Sequence, residues 1–187
     1  MTRPRKLWAF IAMSAIVLAV VSACSGIRPR PVQRLVSDDE ARAALAAAMT
    51  KLGSPYKWGA RGPDEFDSSG IIVWAYRQVI PELRFVGSYH RIFFDTNHAN
   101  LYARNFEPLP FERLRPGDLV YLTDGSATVT HGAMFVRWVK PYEVMEFLDA
   151  STRLGQVVIQ EWPVREVVRG QWLVAAGRLK VVGGAPR

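Results

Sequence analysis

The stretch "LGSPYKWGARGPDEFDSSGIIVWAYRQV", Leu52 to Val79, holds two kinds of structure back to back. Its first half, "SPYKWGARGPDE", has the glycine and proline content of a loop. "FDSSG", Phe66 to Gly70, then puts an acid and two hydroxyls just ahead of an apolar run, a good start for a helix. Beyond it Ile71, Ile72, Ala75, Tyr76 and Val79 fall on one helical face, and Pro81 ends the pattern. Asp67 and Ser69 are well placed to cap this helix, and Ser68 sits at its first exposed turn. The question the stretch raises is whether the Ser68 hydroxyl does anything more.

Upstream, "SDDEARAALAAAMTKLG" opens with Ser37 and Glu40 at capping-box spacing and runs through strong helix formers to a stop at Gly53. Downstream, residues 82–115 are aromatic-rich and carry no readable period. From "RPGDLVYL" the pattern becomes β: a Pro116-Gly117 turn, a strand over Leu119–Leu122, then "HGAMFVRWV", "YEVMEFLDA", "QVVIQEW" and "WLVAAGRL". Helices followed by a run of antiparallel strands predict an α+β domain.

One hairpin carries chemistry. A turn centred on Lys140 sets Arg137 against Glu143, Trp138 against Tyr142, Phe135 against Met145, Val136 against Val144 and Ala133 against Phe147. Such cross-strand pairs contribute about 0.2–1 kcal/mol each. The same register sets His131 opposite Asp149, on one face of the sheet, and a one-residue slip would separate them. A histidine oriented by a carboxylate is the base half of a nucleophilic triad. The plainer alternative is a strand-end histidine and an aspartate that opens the turn at "STRLG".

The N-terminus is of another kind. Arg3, Arg5 and Lys6 precede an uncharged apolar run from Leu7 to Val21, shorter than the roughly 20 residues of a comfortable membrane span. With "VSAC" at its end the segment reads as an export signal over residues 1–23, and it resembles a bacterial lipobox in which Cys24 is acylated. Cys24 is the only cysteine, so a lipidated form has no thiol in its folded part. Residues 1–23 carry three basic and no acidic residues, so their removal lowers the net charge from +7 to +4. That modest positive balance suits anionic lipid or cell-wall polymer, and no basic stripe with interleaved aromatics points to nucleic acid. Residues 24–36, with Arg28-Pro29-Arg30-Pro31, read as a lipidated cysteine and a stiff basic tether, and residues 37–187 as the domain. With three histidines and no free thiol, neither a zinc site nor a cofactor is expected.

The segment Leu52–Val79 resembles the NlpC-type cell-wall endopeptidases, papain-like cysteine peptidases. Their pattern is leucine-glycine-x-proline-tyrosine-x-tryptophan-glycine, then phenylalanine-aspartate-cysteine-serine-glycine at a helix start. "LRPGDLVYL", "HGAMFV" and "FLDAS" resemble the later strand, base-histidine and third-residue signatures, so that the likeness runs from about Asp38 to Trp162. The resemblance implies that Ser68 stands at the nucleophile position, His131 at the base and Asp149 at the orienting site. It further implies that Tyr56 lies over the nucleophile and that Asp67 and Ser69 help to hold the substrate peptide. Its implied ligands are peptidoglycan stem peptides, in an exported lipoprotein of the cell envelope that sits in a membrane, by Ser25 the outer one facing the periplasm, with room for an envelope protein partner.

Two residues depart from that pattern: serine replaces the cysteine, and Asp149 stands where histidine is commonest. A helix N-terminus favours a thiolate, whose thiol has a pKa of about 8.5, whereas serine must lose its proton during attack. The expectation is therefore a peptide-binding groove with impaired turnover. The alternative is a hydrolase with a Ser68–His131–Asp149 triad, a composition that recurs on unrelated folds. His90 and His98 are expected at the surface.

Overall fold

The computed structural model describes residues 30–183. The export signal, Cys24 and the first part of the tether lie outside the described residues. The first element is the strand β1 (Gln33–Leu35), which falls within the stretch read as tether from the sequence. It belongs instead to the sheet: Gln33 faces Val182 on the last strand, and the following Val36 is buried. An edge strand exposes a row of unpaired backbone groups, and three residues of the presumed tether cover part of that edge.

Helix α1 (Asp38–Met49) begins with the capping box anticipated for it, Ser37 Oγ accepting from Glu40 N and Glu40 Oε2 from Ser37 N. Arg34 donates twice to the Glu40 carboxylate, at 2.7 Å each, so that β1 and α1 are tied together. This hydrogen-bonded arginine holds the Glu40 carboxyl below its ordinary pKa, against the opposing effect of burial. Its small buried residues Ala41, Ala44 and Ala48 let helix α2 (Ser68–Val79) approach closely. On α2 the residues Ile71, Ile72, Ala75 and Tyr76 are buried, the face read from the sequence.

Residues 82–115 contain short elements: strands β2 (Phe85–Val86) and β3 (Ile92–Phe93), helix α3 (His98–Arg104) and strand β4 (Phe106–Pro108). They are organised by a buried amide. Asn105 exchanges 2.8 Å hydrogen bonds with both backbone groups of Val86, and Gln33 Nε2 donates to its Oδ1. After them come β5 (Leu119–Thr123), β6 (His131–Lys140), β7 (Val144–Ser151), β8 (Gln156–Pro163) and β9 (Trp172–Val182). The main sheet runs β1-β9-β5-β6-β7-β8 with β4 also on β9, antiparallel throughout. It has a core on each face. Met134, Val136, Leu148 and Ala150 face the helices, while Ala133, Phe135, Phe147 and Trp162 form a second cluster. No helix among the described residues is long and apolar enough to cross a membrane.

The register of the β6–β7 hairpin differs from the one expected. The turn takes Pro141–Glu143 and centres on Tyr142, which has φ 61°, rather than on Lys140. That displacement alone would move facing partners by four residues. Register shifts between Phe135 and Arg137 and between Trp138 and Lys140 each take one residue back, leaving Phe135 opposite Phe147 rather than Met145. Arg137 accordingly pairs with Glu146, at 2.8 Å, instead of Glu143. Trp138 and Tyr142 still meet, edge to face at 5.4 Å. His131 and Asp149 are not directly opposed, but an even offset keeps them on one face.

A single carboxylate joins the helical layer to the sheet. Asp118 is fully buried and accepts from Arg115 N at 2.7 Å and from Arg178 Nε at 2.8 Å. Arg178 also pairs with Asp38 at the start of α1, and the neighbouring Gly117 carbonyl accepts from Tyr76 of α2 at 2.8 Å. Replacing Asp118 by alanine should cost about 3 kcal/mol, the lower end for breaking a buried ion pair because Asp38 still faces Arg178. Urea denaturation should register this as a lower midpoint with an unchanged slope.

Candidate active site

Asp67 caps α2: its Oδ1 accepts from Gly70 N at 2.6 Å. The same oxygen accepts from Ser69 Oγ at 2.9 Å and Arg61 Nη1 at 2.7 Å, while Oδ2 accepts from Gly59 N at 3.0 Å. Arg61 continues to Ser69 Oγ and to Asp95. The loop thus closes over the helix start, and Gly70 permits it, since a Cβ there would lie 2.1 Å from the Ala60 carbonyl oxygen. Tyr56 packs partly against the helix-side core and bridges to Phe66, while Trp58 stands 87% exposed.

Ser68 follows Asp67, half-buried, and its Oγ lies 2.8 Å from Nε2 of His98. His98 is the first residue of α3 and was expected at the surface. Instead it is half-buried, edge-on to Tyr121 and close against Gly132, where a Cβ would come within 2.5 Å of its Nδ1. His90, by contrast, is exposed as expected. Sequence reasoning missed His98 because a seven-residue helix shows no usable period, and Gly132 directly after His131 was the one local sign that something packs there.

His131 occupies the first position of β6, and its Nε2 lies 2.8 Å from Asp149 Oδ2. Asp149 is almost wholly buried, and its Oδ1 accepts from Gln160 Nε2 at 2.9 Å. Strand alternation aligns His131 with Ala133 and Phe135, and Asp149 with Phe147, on the side of the second cluster. Gly132, against which His98 lies, alternates with Met134 on the helix side. The two histidine rings stand 6.1 Å apart between centroids. The fold therefore brings Ser68, His98, His131 and Asp149 into one neighbourhood. The Ser68 hydroxyl is engaged by His98, and the aspartate by His131.

Burial, and after it the nearby charges of His131 and Arg61, push the His98 pKa down to about 3. Its Nδ1 has no hydrogen-bond partner. A neutral imidazole can hold the Ser68 hydroxyl, in either tautomer, but it is a poor destination for the serine proton, since the imidazolium would form buried and beside Arg61. The His131–Asp149 pair has the opposite character. It leaves Nδ1 of His131 as the nitrogen that could accept a proton, with a carboxylate to stabilise the resulting cation. Since folding lowers the His98 pKa, the unfolded chain binds the extra proton first as pH falls. The stability that His98 contributes in its neutral form is present above about pH 6.5 and is lost progressively towards pH 3. His98→Gln should thus flatten the decline of the urea midpoint between pH 6.5 and 4, and a steeper decline in the variant would contradict this account.

The NlpC/P60 family model matches residues 53–176, a span that contains Ser68, His98, His131 and Asp149. A probable endopeptidase of Corynebacterium glutamicum is 33% identical over 135 residues, covering 68% of this chain and 53% of that protein. The chain thus spans about half the length of this relative. The structure of NlpC1 from Trichomonas vaginalis aligns with a TM-score of 0.57 at 24% identity, covering 78% of this chain and 45% of that one. The NlpC/p60 domain of the peptidoglycan hydrolase SagA aligns at 0.51 and 20% identity, over 76% of this chain and 98% of that domain. Both share its mixed helix and antiparallel-sheet fold. The family match, which takes in more than half of the chain, establishes that this chain belongs to the NlpC/P60 family.

Proposed function

We propose that this protein is a lipid-anchored protein of the bacterial cell envelope whose NlpC/P60 domain holds peptidoglycan stem peptides and turns them over slowly or not at all. The observation that carries this reading is the 2.8 Å contact between Ser68 Oγ and His98 Nε2. The residue at the nucleophile position has a hydroxyl instead of a thiol, and that hydroxyl is paired with a weakly basic histidine. The ligand class comes from the family: SagA is named a peptidoglycan hydrolase, and the Corynebacterium glutamicum relative a probable endopeptidase. Asp67 Oδ1 is taken up by three donors, so Oδ2 is the oxygen through which Asp67 would meet the amine of a peptide. Ser69, held between Asp67 and Arg61, fixes that geometry, and Tyr56 borders the same loop. The anchor in this proposal is the lipid on Cys24, with the outer membrane as its site, and an envelope protein partner fits a role without turnover.

One observation favours a second reading, a hydrolase with a Ser68–His131–Asp149 triad. The His131–Asp149 pair is intact at 2.8 Å, and the His131 ring stands 6.1 Å from the His98 ring that holds the Ser68 hydroxyl.

Incubation of the detergent-solubilised lipoprotein with defined muropeptides separates the two. On the first reading native protein cleaves the peptides slowly or not at all, and Ser68→Cys cleaves them faster. Native cleavage as fast as that of Ser68→Cys, lost in both Ser68→Ala and His131→Ala, would establish the triad and overturn the proposal. Cys24→Ser should move the protein out of the membrane fraction, and retention there would contradict the lipid anchor.

A further inference from the structure

Behind His131, on the side of the second core cluster, lies a cavity of about 260 Å³. Leu122, Phe147 and Trp162 form its apolar part, and neither Ser68 nor His98 lines it. We propose that this cavity binds the free carboxylate end of a short peptide, with Arg153 and Arg169 as its cationic groups. The proposal rests on the stem-peptide reading above and adds which part of such a peptide the domain selects.

Three observations support it. The first is charge. Both arginines line the cavity, and neither makes an ion pair with a carboxylate among the described residues. The one carboxylate in the lining, Asp149, already uses Oδ2 for His131 and Oδ1 for Gln160. The lining thus carries two guanidinium groups against one carboxylate, and that carboxylate is engaged elsewhere.

The second is positioning. Gln160 donates its amide N–H to Asp149, which fixes its orientation, and its Oε1 accepts from Arg153 Nη2 at 3.3 Å. A line of contacts therefore runs from His131 through Asp149 and Gln160 to Arg153, so that the guanidinium stays at the cavity although its side chain is exposed.

The third is backbone conformation. Arg169 and Gly170 are the two central residues of a hairpin closed by reciprocal hydrogen bonds between Val168 and Gln171, and both have positive φ, 52° and 78°. That pattern belongs to the tight turns that favour asparagine, aspartate or glycine at both positions. An arginine at the first of them goes against local preference, and its side chain lines the cavity.

A guanidinium recognises a carboxylate through paired N–H donors, more strongly than it recognises a neutral amide. The cavity lies just below the range of about 300–1,000 Å³ usual for small-molecule sites, which suits the end of a peptide and excludes a folded partner.

Calorimetric titration of the solubilised lipoprotein with acetyl-D-alanyl-D-alanine and with its C-terminal carboxamide tests the proposal. The free acid should bind roughly tenfold more tightly, the scale of one charge-assisted hydrogen bond. Arg153→Gln/Arg169→Gln should abolish that preference with no change in thermal midpoint, while Arg165→Gln, a basic residue outside the cavity, should keep it. Equal binding of acid and amide, absence of binding by both, or a preference that survives in the double variant would overturn the inference. So would inorganic phosphate displacing the acid at equal concentration, which would make this a general anion site. Native muropeptide cleavage as fast as that of Ser68→Cys would refute slow turnover and leave the acid–amide comparison standing, whereas peptide binding without acid preference would refute only the present inference.

Discussion

The carboxylate of Asp67 is the group on which the site depends. It satisfies an orphan N–H at the start of α2, as an N-cap does, and it collects Arg61, Gly59 and Ser69 from the loop and the first turn. The consequence is positional. Ser68 lies between two residues, Asp67 and Ser69, that this network holds, so its backbone is fixed by contacts in which it takes no part. The loop can close this tightly only because residue 70 has no side chain. Helix start, loop closure and the placement of Ser68 are thus one structural event.

Onto this fixed position the protein brings two histidines of different character. His98 arrives from the side of the helices, packed against Tyr121 and Gly132, and stays neutral because its surroundings penalise charge. His131 arrives from the sheet and is paired with a buried carboxylate. General-base chemistry at a hydroxyl needs the proton acceptor and the charge stabiliser on the same imidazole. Here the hydroxyl contact belongs to one ring and the carboxylate to the other. The division follows from the sheet, since His131 and Gly132 are consecutive residues of β6 and point to opposite faces.

Much of this was legible before any coordinates, and what was not has specific causes. The capping box of α1, the buried face of α2 and the five strands after residue 118 follow from patterns several residues long, where a period can be counted. The juxtaposition of His131 and Asp149 also followed, although by an incomplete route. The expected turn was displaced by Pro141 and Tyr142, and two bulges took back two of the four residues gained, so parity was kept by shifts that sequence periodicity cannot reveal. Residues 82–115 were opaque because their organisation is carried by one buried asparagine and by elements of two to seven residues. His98 lies in that region, so the residue that contacts Ser68 was assigned to the surface. The strand Gln33–Leu35 was read as tether because three residues beside a proline-rich stretch carry no pattern of their own.

A serine at position 68 and the presence of His98 are physically consistent with each other. A thiol at a helix N-terminus gains from the helix dipole because it can become an anion near neutral pH, and an adjacent cationic histidine strengthens that gain. A half-buried histidine whose pKa has fallen to about 3 offers no such cation. It offers one neutral nitrogen, which complements a neutral hydroxyl at ordinary hydrogen-bond length. Serine also brings a shorter polar arm than cysteine, matched by a ring that reaches it directly. Ser68 and His98 together therefore form an uncharged pair at the start of α2.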